Sequence, residues 1–298
     1  MIWPVLGVVI LTVTGCFKVD VNISVNPDGS GKIKQTIGLS KETFSMLNGM
    51  MSISVPKDGK VEKKDETASM EKEFRKLASS YGQGVYFESF SKETTKDEFI
   101  CFNVTYTFTD ITNIKIDPQS TGPIGSFMGG MTPSSASKME TFRFMLNKLP
   151  DGKATVLTIK SPLKKTDVQN PTKKTDQQEP KGSSQTKKKD EQPNNQVDME
   201  SMKQLLKGMR ISLGLTCGTE IIETNASFRD SNKITFLSID GDKLLASMDK
   251  WKGVIEKYQQ SFTPDNIMNM KGAMQELSEM SGGAFNIDLA EEINIKFK

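Results

Sequence analysis

Three cysteines and no histidine set the chemical repertoire of this 298-residue chain. The absence of histidine removes Ser-His-Asp and Cys-His catalysis, His-ligated zinc and a histidine ligand to haem. Thiols, hydroxyls, carboxylates and amines remain. Ser-x-x-Lys occurs at Ser69/Lys72, Ser161/Lys164, Ser184/Lys187 and Ser247/Lys250, without the Ser-Asp-Asn and Lys-Thr-Gly companions of a serine acylase. That many matches in a Ser- and Lys-rich chain are expected by chance. Gly29-Ser30-Gly31-Lys32 lacks the earlier glycine of a phosphate loop, and Ile33 stands where a magnesium-binding Ser or Thr belongs. Asp240-Gly241-Asp242 lacks the remaining ligands of a calcium loop and reads as a strand-to-helix turn. Met128, Met131, Met268, Met270 and Met274 offer thioethers for Cu(I), but methionine at helical spacing is better read as core filler. The expectation is no catalytic residue, no metal site and no cofactor.

Cys16 is the exception, because its setting is informative. Ile2–Val13 carries no charge and is about a dozen residues long, short of the roughly 20 that a membrane-spanning helix needs. A short apolar run followed by small residues fits a secretory signal. Leu11-Thr12-Val13-Thr14-Gly15-Cys16 resembles the lipobox of bacterial lipoproteins. The resemblance implies cleavage between Gly15 and Cys16, a diacylglycerol on the Cys16 sulfur and an acyl chain on the new amino group. Two or three chains hold a protein stably at a bilayer where one holds it only marginally. Phe17, rather than Asp, after the cysteine leans toward the outer membrane under the family's sorting rule. The expected location is therefore the cell membrane or outer membrane, lipid-anchored and extracytoplasmic. The competing reading is a short buried N-terminal strand with a core cysteine.

Net charge is +2, which gives no basic field for nucleic acid. With Cys16 acylated, Cys101 and Cys217 are left in an oxidising compartment. Ile100, Phe102, Val104, Tyr106 and Phe108 define one strand face that excludes Cys101, whereas Cys217 shares a face with Ile211, Leu213 and Leu215. In a single sheet the two thiols lie on opposite sides, which argues against a disulfide.

The elements that must carry these residues are mostly strands. Phe17–Asn26 alternates with Val19, Val21, Ile23 and Val25 on one face; Pro27-Asp28-Gly29-Ser30-Gly31 is a turn; residues 32–39 return. Ser40 caps a helix carrying Phe44, Leu47 and Met51, and a second helix places Met70, Phe74, Leu77 and Tyr81 on one stripe. Residues 85–94 and 98–109 read as paired strands, as do 141–149 and 153–160 across Pro150-Asp151-Gly152. Further strands are read at 211–217, 220–228, 233–239 and 292–298. The spacing of Leu244, Met248, Trp251, Ile255 and Tyr258 predicts a helix over 242–258, and Thr263-Pro264 opens another that stops at Ser281-Gly282-Gly283. Residues 117–137 are rich in Gly, Pro, Ser and Met; Phe127, Met128 and Met131 there form a candidate contact loop, with a floppy insertion as the favoured alternative. Residues 161–196 are Lys, Gln, Asp, Pro and Asn with too few apolar groups to offset ordering, and are expected to be a disordered linker.

Two stretches are similar to the LppM-type domain of bacterial envelope lipoproteins: residues 16–39, with a cysteine, a strand, the NPDGSG turn and a strand, and residues 211–240 (ISLGLTCGTEIIETNASFRDSNKITFLSID). The resemblance implies an envelope ectodomain without an agreed enzymatic activity, touching lipids or partners.

The expected organisation is a signal peptide at 1–15, a first part of the ectodomain at 16–160, the linker at 161–196 and a second part at 197–298. The expected fold class is α+β: one antiparallel sheet built from hairpins, several amphipathic helices packed on it, and a long disordered insertion. The expected role is non-enzymatic, with the membrane as partner through the N-terminal lipid and an envelope lipid, glycan or protein as ligand. The alternatives are an assembly component docking through Met-rich helices and, last, an enzyme relying on carboxylates and lysines.

Overall fold

The computed structural model describes residues 17–45, 66–116, 141–150, 152–161, 203–204, 206–250, 253 and 267–298. Strand β1 (Phe17–Val25) buries Phe17, Val19, Val21, Ile23 and Val25 on one face. It turns through Asn26–Ser30 into β2 (Gly31–Ser40), antiparallel and in register from Phe17 opposite Leu39 to Val25 opposite Gly31. The turn is chemically specified. Asp28 accepts from the Ser30 backbone N–H and hydroxyl, at 2.9 and 2.7 Å, and Gly29 takes φ +94°, a region L side chains avoid.

Helix α1 (Glu66–Leu77) continues as a 3-10 turn over Ala78–Tyr81. Strands β3 (Val85–Thr94) and β4 (Phe99–Phe108) form a long hairpin, and β4 lies beside β2. Ser40 caps the short helical stretch at residues 41–45, its Oγ accepting from the Thr43 N–H at 3.2 Å. Phe44 from this stretch lies 5.7 Å from the Phe102 ring. Phe74 of α1 stacks on Phe90 at 5.4 Å, and Tyr81 meets Tyr106 at 4.9 Å. The periodicities of α1, β3 and β4 thus converge on one aromatic layer.

The second half of the chain extends this sheet and also contributes a second one packed on the same core. Strand β7 (Arg210–Cys217) lies beside β1 and runs parallel to it, from Lys18 opposite Arg210 to Val25 opposite Cys217. Strand β10 (Lys233–Asp240) pairs antiparallel with β7, and β11 (Phe285–Ile287) with β10. Including β9 (Arg229–Asp230), which pairs with β10, this is an eight-stranded mixed sheet in the order β11-β10-β7-β1-β2-β4-β3. A second, four-stranded sheet runs β5-β6-β12-β8, from β5 (Arg143–Lys148), β6 (Thr155–Lys160), β8 (Ile221–Thr224) and β12 (Glu292–Phe297). Its inward side chains, among them Leu157, Ile159, Ile293, Ile295 and Phe297, belong to the same apolar core as β1, β2 and β4.

This corrects the expected fold class. The chain is mostly sheet with few helices, its large sheet is mixed rather than antiparallel, and four strands form a second sheet. The physical reason is locality. Hairpin and turn signals act between neighbours, whereas β7 joins β1 across a separation such as the 194 residues between Asn22 and Thr216. Likewise β6 pairs with β12 near the end of the chain.

Two element boundaries also differ. The helix read over 242–258 opens as α2 (Gly241–Ala246) and is interrupted at Ser247. The Ser247 hydroxyl donates to the carbonyls of Lys243 and Leu244, at 3.0 and 3.3 Å, and its backbone N–H is shared between the same two carbonyls. Residues 248–250 and 253 are helical again, and 251, 252 and 254–266 lie outside the described residues. The strand read over 220–228 stops at Thr224, because Asn225 turns the chain. Its side chain accepts from the Asn294 N–H at 2.7 Å and donates to the Glu292 carbonyl at 3.0 Å. Ser227 N–H then donates to the buried Asp288 carboxylate at 2.8 Å. Helix α3 (Ile267–Met280) stops where the glycines predict, with Gly282 and Gly283 at positive φ. Among the described residues, no helix is long and apolar enough to cross a membrane.

Candidate functional site

Gly15, Cys16, Phe127, Met128 and Met131, the residues singled out by sequence, all lie outside the described residues. So does the linker beyond Ser161, save its border: Ser161 itself is buried and its N–H donates to the Glu291 carbonyl at 3.0 Å. The structure does describe where the chain goes directly after Cys16. Phe17 is already the first residue of β1, is buried, and pairs with Leu39. β1 is an interior strand with β2 on one side and β7 on the other.

The strand directions gather a defined set of groups at this end of the sheet: the start of β1, the end of β2, the β3–β4 turn at residues 95–98, the start of β7 and the end of β10. Lys18 sits over the Phe99 ring, 3.7 Å from its centroid, and pairs with the Asp97 carboxylate. The Thr95 hydroxyl also donates to Asp97, at 2.6 Å. These two hydrogen bonds, Lys18 foremost, pull the Asp97 carboxyl down to about 2. Lys41 pairs with Glu98 at 2.8 Å, and Glu98 takes the left-handed φ of +64° that closes the turn. Asp240 caps α2, accepting from the Lys243 N–H at 3.2 Å, and its other oxygen lies 3.7 Å from the Lys243 ammonium. A Cβ at Gly241 would stand 1.8 Å from the Leu206 carbonyl oxygen, so only glycine lets the 206–209 turn close on α2.

The two sides of the large sheet differ. The inner side is filled by the aromatic and aliphatic core. The outer side displays hydroxyls, amides and charges that bond to one another along the strands. Thr36 donates to Asn103 at 2.8 Å, Asn103 to Glu93 at 3.0 Å, and Thr216 to Asn22 at 3.1 Å, while Lys32 pairs with Glu88 at 2.7 Å. Cys101 is on this outer side, beneath Gly38 and Lys18, and Cys217 is on the inner side opposite Val25. Both are free thiols, as their opposed faces require. Burial raises both, with Glu93 adding to the rise at Cys101; Cys217 is pushed up to about 12. At neutral pH each is a protonated, weakly nucleophilic thiol. Among the described residues, no three Cys, Asp or Glu side chains converge as a metal site would need.

Sequence reading missed the Lys18–Asp97–Phe99 cluster. Lys18 showed only as a polar residue in an alternating strand, and nothing local to Asp97 points to a partner 79 positions away. Only the fold brings the β3–β4 turn to the start of β1.

No family model matches the chain, and no curated protein does. Among solved structures, the chain is similar to the NMR structure of the folded domain of the Mycobacterium tuberculosis LppM protein, at 8% identity, over 96% of this chain and 91% of that one, with a TM-score of 0.28. That superposition is too loose to transfer a fold or a role.

Proposed function

We propose that this chain is a lipid-anchored, extracytoplasmic bacterial lipoprotein whose ectodomain binds an envelope component and does no chemistry on it. The observation that carries this reading is the apolar Ile2–Val13 stretch ending in Leu11–Cys16. A dozen apolar residues, small residues before a cysteine, and a folded domain after it are the parts an acylated anchor requires. Support for binding over catalysis comes from the groups on the sheet: its thiols are buried and protonated, and Asp97, Glu98 and Asp240 are tied to lysines. Of the envelope ligands, a glycan or a polar protein surface suits the outer sheet side better than an acyl chain does. Hydroxyls, amides and lysines line that side, and the inner side is occupied by packed core.

The test is intact-mass analysis and membrane fractionation of the full chain expressed in a bacterial host. The expected product begins at Cys16, carries acyl chains and sediments with membranes, and Cys16→Ser releases it or leaves it uncleaved. A native product that retains residues 1–15 with an unmodified Cys16 overturns the reading.

A further inference from the structure

We infer that the sheet stands end-on at the bilayer, with the rim formed by the start of β1, the β3–β4 turn and the end of β10 seated against the lipid headgroups. This rests on the lipid-anchored reading of Cys16. Adjacent Cα atoms are about 3.8 Å apart, so whatever is attached to Cys16 is held within one residue of Phe17. Phe17 has no freedom to serve as a tether: it is buried, and β1 is paired along its length with β2 and from Lys18 onward with β7. An edge strand can fray to lengthen an anchor. An interior strand cannot do so without breaking two ladders and exposing the Val19–Val25 face. The anchor is therefore attached at this one end of the sheet, and the groups beside it are set against the headgroups.

The charge on the rim supports a headgroup surface of no particular sign. Lys18 is matched by Asp97, Lys41 by Glu98 and Lys243 by Asp240, and the other charges of this end, Lys96, Lys207 and Arg210 with Glu42, Glu93 and Asp242, balance as well. A basic cluster would draw anionic lipid, and neutral pairs do not. Seating is driven by the acyl chains and the short attachment, and it persists in zwitterionic lipid and at high salt.

The opposite end of the sheet lies about 30 Å away, the length of a ten-residue strand. Lys96, in the β3–β4 turn, and Thr109, directly after the last residue of β4, are exposed residues at the two ends. Both native thiols are buried, so a cysteine introduced at either position takes a fluorophore selectively. The experiment reconstitutes the acylated full chain, as Lys96→Cys or Thr109→Cys, into phosphatidylcholine vesicles with a short-range quencher on the headgroups. Loss of the Lys96→Cys signal with retention of the Thr109→Cys signal is expected, unchanged at high salt. Inserting a flexible Gly-Ser stretch between Cys16 and Phe17 is expected to abolish the difference. Equal quenching at both positions, or retention at both, in protein whose mass shows an acylated Cys16 overturns the orientation and leaves the anchor standing. An unmodified Cys16 overturns the anchor and the orientation with it.

Discussion

The Tyr81 hydroxyl donates to Oε1 of Gln35 at 3.0 Å, linking the 3-10 turn after α1 to the middle of β2. Gln35 is buried on the inward side of β2, between Val21 and Val104. The tyrosine pins the helix end and gives the buried amide oxygen a donor. Tyr81→Phe keeps the ring contact with Tyr106 and removes only the donor. It is expected to cost about 1–2 kcal/mol, read as a lower denaturant midpoint at unchanged slope.

Backbone proximity makes a second prediction. A Cβ at Gly31 would lie 1.9 Å from the Ser24 carbonyl oxygen and 2.5 Å from the Phe108 ring. The oxygen belongs to the neighbouring strand, so relief requires β1 to move. Gly31→Ala is expected to destabilise by about 3 kcal/mol, measured by thermal or denaturant unfolding. A shift below 1 kcal/mol would mean that β1 and β2 do not approach as described.

Asp97 sets an acid limit. Its pKa in the folded chain, about 2, lies below the ordinary aspartate range, so the Lys18 and Thr95 bonds favour the folded state once the carboxyl is ionised. That contribution is complete above the unfolded-state pKa of about 4 and is lost as pH falls through about 2. Stability should therefore decline in that window, and Asp97→Asn should flatten the decline. Unfolding midpoints measured from pH 5 to pH 2 decide it.

The buried thiols give a labelling prediction. Cys101 and Cys217 are both screened from solvent, and Cys217 is shifted up to about 12. In a Cys16→Ser chain, neither is expected to react with maleimide until the protein is unfolded, and the mass of the native protein should show two free thiols. Rapid labelling of the native chain at either position would contradict the burial.

Much of this architecture is legible locally. The Val19–Val25 alternation, the Asp28-Gly29 turn, the Met70–Tyr81 stripe and the 85–108 hairpin each encode an element, since period and turn chemistry act over a few residues. The alternation even places Cys101 and Cys217 on opposite sides of the sheet. What the sequence conceals is long-range: the parallel seat of β7, the departure of β5, β6, β8 and β12 into a second sheet, and the meeting of Lys18 with Asp97. Register across such separations is set by which apolar faces fill one core, which no short window records.

The parallel seat of β7 also bears on how the protein is made. A chain emerging from its N-terminus can complete β1, β2, β4 and β3 early, yet it leaves the β1 flank bare until residues near 210 arrive. During that interval the young molecule carries an open, valine-rich margin able to recruit a foreign strand. A fragment ending at residue 161 should therefore clump on release, and any protective escort of the growing chain would find its work at that margin.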